Sequence, residues 1–309
     1  MGENSSTDRQ QHIKINLELR ARIIQGVRIF FAGQNYLEIE TPVRIPAPAP
    51  EAHIDAIASE DRFLHTSPEL CMKRLLASGY PRIFQICRCF RQNERGSRHI
   101  PEFTMLEWYR ADSDYFDMME ETEALIKHVA LKPGSGNSIK YQGGRIDLDR
   151  PWTRMTVAEA FEKYASTSVK KVLSDDRFDE TMAEIEPALG QRTPLFLYDY
   201  PASCGALAKL KSGNSSIAER FELYISGLEL CNGFTELTDP NEQRERFEKE
   251  LSHRKKAGKR AYPMPEKFLE SLSFMPDASG NALGLDRLVM LFADAGNIDD
   301  VVAFTPEEL

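Results

Sequence analysis

FRQNERGSRHIPEFTMLEWYR, residues 90–110, is the most informative stretch of this chain. Arg91 ends an apolar segment, and the polar loop that follows carries Arg95, Arg98 and His99 before a second apolar segment begins. Two strands joined by such a loop can present guanidinium groups to a phosphate, because arginine holds phosphate oxygens in pairs and keeps its charge. The same pattern is typical of a solvated hairpin tip, so the remaining motifs have to decide between the two interpretations.

The composition is that of an ordinary globular protein of 309 residues, with 41% apolar and 28% charged residues. A net charge of −9 argues against broad, unspecific binding to nucleic acid, which depends on neutralising phosphates. No apolar run is long enough to cross a membrane, and the amino terminus lacks an apolar signal-peptide core, so we expect a cytoplasmic protein. The basic segment 253–260 is a local exception, interpreted either as a solvated helix end or as a docking patch for a partner.

The five cysteines form no Cys-x-x-Cys pair and lie mostly inside apolar segments. We interpret them as reduced core residues rather than as a disulfide or zinc framework. Cys87 and Cys89 would lie on one face of a strand, but the sequence offers no second ligand pair beside them. A zinc site is therefore not predicted.

Apolar periodicity predicts an α+β domain, with an antiparallel sheet flanked by helices. Strands are predicted at 36–40, 82–90, 102–110, 194–201 and 221–230, and helices at about 13–34, 69–78, 114–130, 175–189 and 240–257. The segment from Gly280 is predicted to lead into an apolar helix.

The predicted domain organisation is simple. Residues 1–12 are expected to be a disordered tail, and residues 13–309 one domain with an insertion at about 132–193.

Three glutamates, Glu222, Glu229 and Glu236, recur at every seventh position. The surrounding residues favour strands, and on a flat strand a separation of seven places neighbours on opposite faces. Convergence therefore requires a bulge or bend at Gly227 and Gly233. The glutamates are either solvent-facing acids or a carboxylate cluster that holds Mg²⁺ and recognises a cation.

Three blocks of the sequence resemble, in order, the three motifs of class II aminoacyl-tRNA synthetases. They are Arg28 to Pro42, residues 90–110, and Gly280 to Leu291. Within that class the chain is similar to lysyl-tRNA synthetases, through Thr66-Ser-Pro-Glu-Leu, His99-Ile-Pro-Glu-Phe-Thr-Met-Leu-Glu and Glu229-Leu-Cys-Asn-Gly-Phe-Thr-Glu. Because the chain starts almost directly at the first motif, the resemblance implies that no anticodon-binding domain is expected. This short amino terminus and Leu-Glu-Trp-Tyr-Arg in the second motif resemble a protein-modifying branch, which ligates (R)-β-lysine to a lysine of elongation factor P.

The resemblance implies a site for ATP and Mg²⁺. Its residues would be Arg91, Gln92, Asn93, His99, Phe103, Glu229, Leu230, Gly284 and Arg287. Arg91 would hold the α-phosphate, Phe103 would stack on adenine, and Arg287 would cover the opposite face of the base and the γ-phosphate. Arg91, Arg287 and Glu229 would be the catalytic residues, and Glu222 and Glu229 would carry the metal.

The resemblance also implies a site for β-lysine or lysine. Its residues would be Ser67, Pro68, Glu69, Tyr109, Asn232, Glu236 and Ala282. Glu69 would meet the amino group near the substrate carboxylate, while Glu236 and Tyr109, with Asn232, would bind the distal ammonium.

Two positions depart from the synthetase pattern. Synthetases of this class have Arg-x-Glu in the second motif, whereas this chain has Arg91-Gln92-Asn93 followed by Glu94. Either Asn93 substitutes as a neutral partner or the loop shifts to use Glu94. In the third motif, Ala282 stands where the synthetases have the middle glycine. Its methyl group would crowd α-lysine more than β-lysine, and a one-methyl difference corresponds to a preference for β-lysine of about 10- to 200-fold. The alternative is a substitution without effect on specificity.

The sequence thus predicts a ligase that adenylates (R)-β-lysine, or lysine less well, and transfers it to elongation factor P. Two alternatives stay open, namely a lysyl-tRNA-charging enzyme and a catalytically silent paralogue acting as a binding subunit. The first motif resembles the class II dimer interface, so a homodimer is expected, and tRNA is not an expected partner.

Overall fold

We describe the protein from a computed structural model, which covers residues 6–131, 136–205 and 207–309. The strands are β1 (Leu37–Glu38), β2 (Arg44–Ile45), β3 (Ala58–Ser59), β4 (Arg62–Leu64), β5 (Arg82–Phe90), β6 (Glu102–Ala111), β7 (Ser138–Tyr141), β8 (Gly144–Asp147), β9 (Thr153–Thr156), β10 (Leu195–Pro201), β11 (Leu210–Lys211), β12 (Asn214–Ile225), β13 (Leu228–Thr235) and β14 (Ala278–Gly284).

The α-helices are α1 (Ser6–His12), α2 (Lys14–Gly33), α3 (Glu69–Ala77), α4 (Tyr115–Leu131), α5 (Val157–Ala160), α6 (Val169–Ser174), α7 (Phe178–Ile185), α8 (Pro240–Lys256), α9 (Glu266–Leu272) and α10 (Leu285–Ala293). A π-helical turn spans Phe161–Ala165, and 3₁₀ turns span Glu186–Ala188, Ala202–Cys204, Ile298–Val301 and Pro306–Glu308. No helix within the described ranges combines the length and apolar character needed to span a membrane.

The central sheet has the strand order β1-β5-β6-β14-β13-β12-β10-β9, with β11 paired to β12. Its interior is antiparallel, from β5 through β10, whereas the outermost strands β1 and β9 pair in parallel with β5 and β10. Helices α2, α4 and α10 cover one face. The predicted α+β class is confirmed, and the parallel pairing at the two edges is the feature that the sequence did not indicate.

The two faces of strand β6 have different surroundings: one faces the hydrophobic core, and the other, here called the open side, faces away from it. Leu106 and Trp108 are fully buried on the core side, where Phe31 of α2 lies 5.4 Å from the Trp108 ring and stacks on Phe84 at 4.7 Å. Alternate residues of a strand face opposite sides of its sheet, so Phe103, Met105 and the odd-numbered residues after them face away from this core. The open side is therefore built by the same strand that anchors the sheet.

Two sequence predictions about elements were wrong. Residues 6–12 form helix α1 rather than a disordered tail, and Arg9 of that helix is ion-paired with Glu308 at 2.9 Å. Residues 1–5 lie outside the described residues. The segment 221–230 is a hairpin rather than one strand, because Ser226 and Gly227, with φ of +53° and +69°, form a two-residue turn between β12 and β13.

Candidate active site

A cavity of about 390 Å³ lies on the open face of the sheet. Phe103, Met105, Glu107 and Tyr109 line it from β6, as the alternation of the strand requires. Neighbouring strands add residues in register, since Glu107 lies opposite Ala282 of β14, which in turn lies opposite Asn232 of β13. The sheet thus fixes the position of most lining side chains through its hydrogen-bond ladder.

Arg91 and Phe103 meet at one end of the cavity. The guanidinium carbon of Arg91 lies 5.1 Å from the centroid of the Phe103 ring, and both residues line the cavity. Glu94 also lines the cavity and approaches Arg91 to 3.8 Å. Of the two sequence interpretations of this loop, the structure favours the one in which Glu94 replaces the usual glutamate.

The structure does not bring Gln92 and Asn93 to the cavity, contrary to their predicted place in the ATP site. Both side chains are exposed. Asn93 has a φ of +65°, a left-handed conformation that asparagine adopts more readily than most residues. The contribution of Asn93 is therefore to turn the chain, and that turn directs Glu94 toward Arg91.

Arg287 is the centre of a second polar group at this end. Its guanidinium donates to the Glu229 carbonyl at 2.9 Å, lies 3.4 Å from the Glu229 carboxylate, and contacts His99 Nε2 at 2.6 Å. Burial lowers the pKa of His99 below its usual value of 6.5, and the positive charges of Arg287 and Arg91 lower it further. Neutral His99 can therefore accept the hydrogen bond from Arg287.

The other two arginines of the loop have different roles. Arg98 lines the cavity and donates to the Gly227 carbonyl at 2.9 Å. Arg95 instead ion-pairs with Asp299 at 2.9 Å and Glu307 at 2.8 Å, so it fastens the loop to the carboxyl-terminal segment.

Carboxylates dominate the region of the cavity around Tyr109. Along β6, Phe103 and Tyr109 are six residues apart, which corresponds to ~20 Å. Glu107 is almost fully buried there, and its two oxygens accept hydrogen bonds from Ser67 at 2.8 Å and Tyr109 at 2.6 Å. Burial raises the pKa of Glu107 well above its ordinary range, and the nearby charge of Glu69 raises it further.

Lys73 joins two more acidic residues in the same region. Its ammonium lies 2.5 Å from Glu69, which lines the cavity, and 2.5 Å from Glu236, which is fully buried. It also lies 4.9 Å from the centroid of the Phe234 ring. Burial raises the pKa of Glu236 to about 8 against the lowering effect of Lys73, whereas the charges of Glu236 and Glu69 outweigh burial and raise the pKa of Lys73.

Most of the predicted lysine-site residues are therefore gathered, with two exceptions. Ser67, Glu69, Tyr109, Asn232 and Ala282 line the cavity, as do Leu230 and Gly284 of the predicted ATP site. Pro68 is buried immediately before α3 and does not line the cavity. Glu236 does not line it either, since Lys73 lies between this carboxylate and Glu69.

The predicted metal pair is only half presented to the cavity. Glu229 lines it, but Glu222 is buried and accepts hydrogen bonds from Tyr200, Tyr224 and Arg220, each at 2.6 Å. Instead of a bend at each glycine, the β12–β13 pair has the turn at Gly227 and a register shift that leaves Leu230 unmatched, while Gly233 stays in regular register. Mg²⁺ usually takes one or two carboxylates plus substrate phosphates, so Glu229 suits such an ion. Glu222 would contribute only nearby negative charge, because its carboxylate is already held by three hydrogen bonds.

Sequence reasoning missed four residues of this site: Glu51, Lys73, Glu107 and Phe234. Burial raises the pKa of Glu51 to about 7, and this residue lines the cavity from the proline-rich linker. Glu107 could have been found from its period-two spacing with Phe103 and Tyr109, and Lys73 from its i,i+4 spacing to Glu69. Glu51 is placed by contacts distant in sequence, which no local pattern predicts.

Two cations of the basic segment 253–260, Arg254 and Lys259, contact the proline-rich linker that carries Glu51. Arg254 is fully buried and donates to the carbonyls of Glu51 at 2.8 Å and Ile54 at 2.9 Å, besides pairing with Asp55 at 2.7 Å. Lys259 also pairs with Asp55, at 3.1 Å. The interpretation as a wholly solvated helix end was therefore wrong for these two residues, which hold the segment carrying Glu51 against the cavity.

Comparison with known families matches residues 5–308 to the family described as tRNA synthetases class II (D, K and N). Among curated proteins, the chain is similar to three enzymes that each bear the name elongation factor P--(R)-beta-lysine ligase. The one from Vibrio atlanticus is 38% identical over 309 residues, covering 93% of this chain and 94% of the relative. Those from Erwinia tasmaniensis and Salmonella gallinarum are 39% and 38% identical, with 94% of each chain covered.

These similarities extend over nearly the whole length of both chains, and the second and third motifs of the predicted resemblance contribute residues that line the cavity. The chain therefore belongs to the class II tRNA synthetase family (D, K and N).

Proposed function

We propose that this protein is an ATP-dependent ligase that adenylates (R)-β-lysine, or lysine less well, and transfers it to a lysine side chain of elongation factor P. The names of the relatives that share 38–39% identity support this assignment. The observation that carries it in the structure is the division of one cavity into a cationic region and an acidic region.

The acidic region suits a diamino acid. The ammonium of Lys73 pairs with two carboxyl groups, on Glu69 and Glu236, and a third carboxyl group, on Glu107, lies near Glu69 and is held by Ser67 and Tyr109. If all of them ionise, the cluster has two negative charges in excess, which matches the two ammonium groups of lysine or β-lysine. Because this region excludes most water, unpaired charge there is costly, and a substrate with only one ammonium group would leave a carboxylate without a partner.

The cationic region suits the triphosphate of ATP. Arg91, Arg98 and Arg287 line it, and arginine binds phosphate oxygens in pairs. Phe103 offers an aromatic face to the adenine. Adenylation needs no protein nucleophile, because a carboxylate oxygen of the substrate attacks the α-phosphorus, forms the new P–O bond, and pyrophosphate leaves with the electrons of the broken bond.

Positioning and charge stabilisation then account for most of the catalysis. Arg91 would hold the α-phosphate as negative charge develops, and Arg287, oriented by His99 and Glu229, would stabilise the departing pyrophosphate. Mg²⁺ bound at Glu229 would neutralise further phosphate charge when present.

The second step forms an amide. The unprotonated ε-amine of the acceptor lysine attacks the acyl carbon of the adenylate, AMP leaves with the electrons of the C–O bond, and the nitrogen loses one proton to water or a nearby carboxylate. All five cysteines are free thiols, and reduced cysteines are typical of cytoplasmic proteins, which supports a cytoplasmic location for this reaction.

The proposal includes a homodimer through the first motif. Ile29 and Leu37 belong to that motif and Val43 directly follows it; these large apolar side chains are exposed by 46%, 50% and 39%. Exposed large apolar side chains in and beside this motif support a two-fold interface there. Sedimentation showing only monomer at micromolar concentration would contradict it.

The test is a transfer assay with ATP, labelled (R)-β-lysine and purified elongation factor P. We expect label in the protein and β-lysine-dependent exchange of pyrophosphate into ATP. Exchange without labelling of elongation factor P would overturn the acceptor, and labelling of tRNA would favour the tRNA-charging alternative. Absence of exchange with either lysine isomer would favour a catalytically silent paralogue.

A further inference from the structure

A second cluster of metal-binding side chains lies beside the cavity, outside the site described above. One ring nitrogen of His65 and the sulfur atoms of Cys87 and Cys89 lie within 4.8 Å of one another. His65 is 1% exposed and Cys89 is fully buried, whereas Cys87 is partly open to solvent. We propose that His65, Cys87 and Cys89 bind one Zn²⁺ ion.

The two thiols have the spacing that zinc requires. Cys87 and Cys89 are two residues apart on β5, so their side chains share one face of the strand, and their sulfur atoms are 3.9 Å apart. Two Zn–S bonds of ~2.3 Å at a tetrahedral angle separate the sulfurs by ~3.8 Å. The pair therefore binds the ion without rearranging the backbone.

The imidazole is in the tautomer that a metal ligand needs. His65 Nε2 lies 2.6 Å from the carbonyl oxygen of Arg88, which can only accept, so Nε2 carries the proton and donates it. Nδ1 then has a lone pair that can bind a metal, and the His65 side chain already interacts with the Cys87 thiol, another of the proposed ligands. Metal-bound histidines characteristically donate their other ring N–H to a carbonyl or carboxylate, as His65 does here.

A fourth ligand is available on the same strand face. Gln85 precedes Cys87 by two residues, its side-chain amide hydrogen-bonds to the Cys87 thiol, and its Oε1 is buried without a hydrogen-bond partner in the described part of the chain. Rotation of the amide by half a turn exchanges Oε1 and the nitrogen, which would direct the oxygen toward the sulfurs. One Zn²⁺ with two thiolates is electrically neutral, so burial of the loaded cluster carries little charge penalty.

The cluster is coupled to the substrate site through the chain. His65 directly precedes the Thr66-Ser67-Pro68-Glu69 segment, and Cys89 lies opposite Phe103 in the β5–β6 ladder. A bound ion would link these two parts and so fix Ser67 against Glu107. The sequence predicts no zinc site because no second ligand pair accompanies the two cysteines, whereas the fold brings His65 to them from 22 residues away.

The test uses Co²⁺ as a spectroscopic probe and then Zn²⁺ itself. The reduced full-length protein, stripped with a chelator, is titrated with Co²⁺ under inert gas. We expect one equivalent to give thiolate-to-cobalt charge-transfer absorption and tetrahedral ligand-field bands, both abolished by one equivalent of Zn²⁺. Because this measurement needs no variant and no substrate, it is independent of the proposed ligase activity. Absence of the thiolate band in the wild-type protein would overturn the proposal.

Variants locate the site. Cys89→Ser and His65→Ala are expected to lose retention of Zn²⁺ after desalting, measured by elemental analysis, while Cys71→Ser, a thiol outside the cluster, retains one ion per chain. Circular dichroism confirms that each variant is folded. Equal retention by Cys89→Ser and Cys71→Ser would place the metal elsewhere and refute the assignment.

Discussion

Replacement of Gly280 by alanine should disable the lysine region of the cavity through a single methyl group. A Cβ at this position would lie 2.3 Å from Cε1 and 2.5 Å from Cδ1 of Tyr109, and 2.7 Å from Oε1 of Glu236. Ordinary contacts of a Cβ begin at 3.4 Å, so the Tyr109 ring has to move by about 1 Å. That movement breaks the 2.6 Å hydrogen bond from Tyr109 to Glu107.

Overpacking of this kind costs about 1–3 kcal/mol, which corresponds to a factor of about 5 to 150 in an equilibrium constant. We expect kcat/KM for β-lysine in pyrophosphate exchange to fall within that range, with KM for ATP little changed. Gly284→Ala is the matched control, because its Cβ would meet nothing closer than Arg287 Cδ at 3.6 Å. Its melting temperature should equal that of the wild type, and any defect should appear in KM for ATP. An unchanged kcat/KM for β-lysine in Gly280→Ala would refute this account of the lysine region.

Ala282→Gly should raise kcat/KM for α-lysine relative to β-lysine by about 10- to 200-fold, because the methyl group lies between Glu107 and Asn232 in the sheet; an unchanged ratio would show that this methyl does not discriminate. Arg254→Met should lower the free energy of unfolding by about 3–5 kcal/mol, measured by urea titration, because it leaves buried carbonyls and Asp55 without their partner. Lys256→Met, an exposed residue of the same helix, is its control and should change stability by under about 0.5 kcal/mol. The pKa of His99 in the folded protein lies below 6.5, so the ring stays mainly neutral down to that pH and is protonated only on further acidification. Protonated His99 cannot accept the hydrogen bond from Arg287, so kcat/KM for ATP should fall at acidic pH. His99→Gln should remove this fall.

The framework of the site could be predicted from the sequence because it is local. Strands β5 and β6 end within one residue of the predicted bounds, since apolar alternation and the polar loop between them define both. The arginines and Phe103 follow from that framework. The positive φ of Asn93 is also a local property, but sequence alone left open whether Asn93 or Glu94 would face Arg91.

The parts that could not be predicted depend on residues far apart in the chain. Arg254 reaches across about 200 residues to hold the linker that carries Glu51, and Glu222 is enclosed by Tyr200 of another strand. The regular spacing of the glutamates suggested that the three share one role. The hairpin instead places Glu229 in the cavity, whereas Glu222 accepts hydrogen bonds from tyrosine hydroxyl groups and Glu236 pairs with Lys73.

The arrangement of β6 restricts how this enzyme can change during evolution. Recognition occupies its odd-numbered positions and the core its even-numbered ones, so inserting or deleting a single residue would exchange the two sets and place Glu107 in the hydrophobic core in place of Leu106. New specificities can therefore arise in this strand by substitution alone.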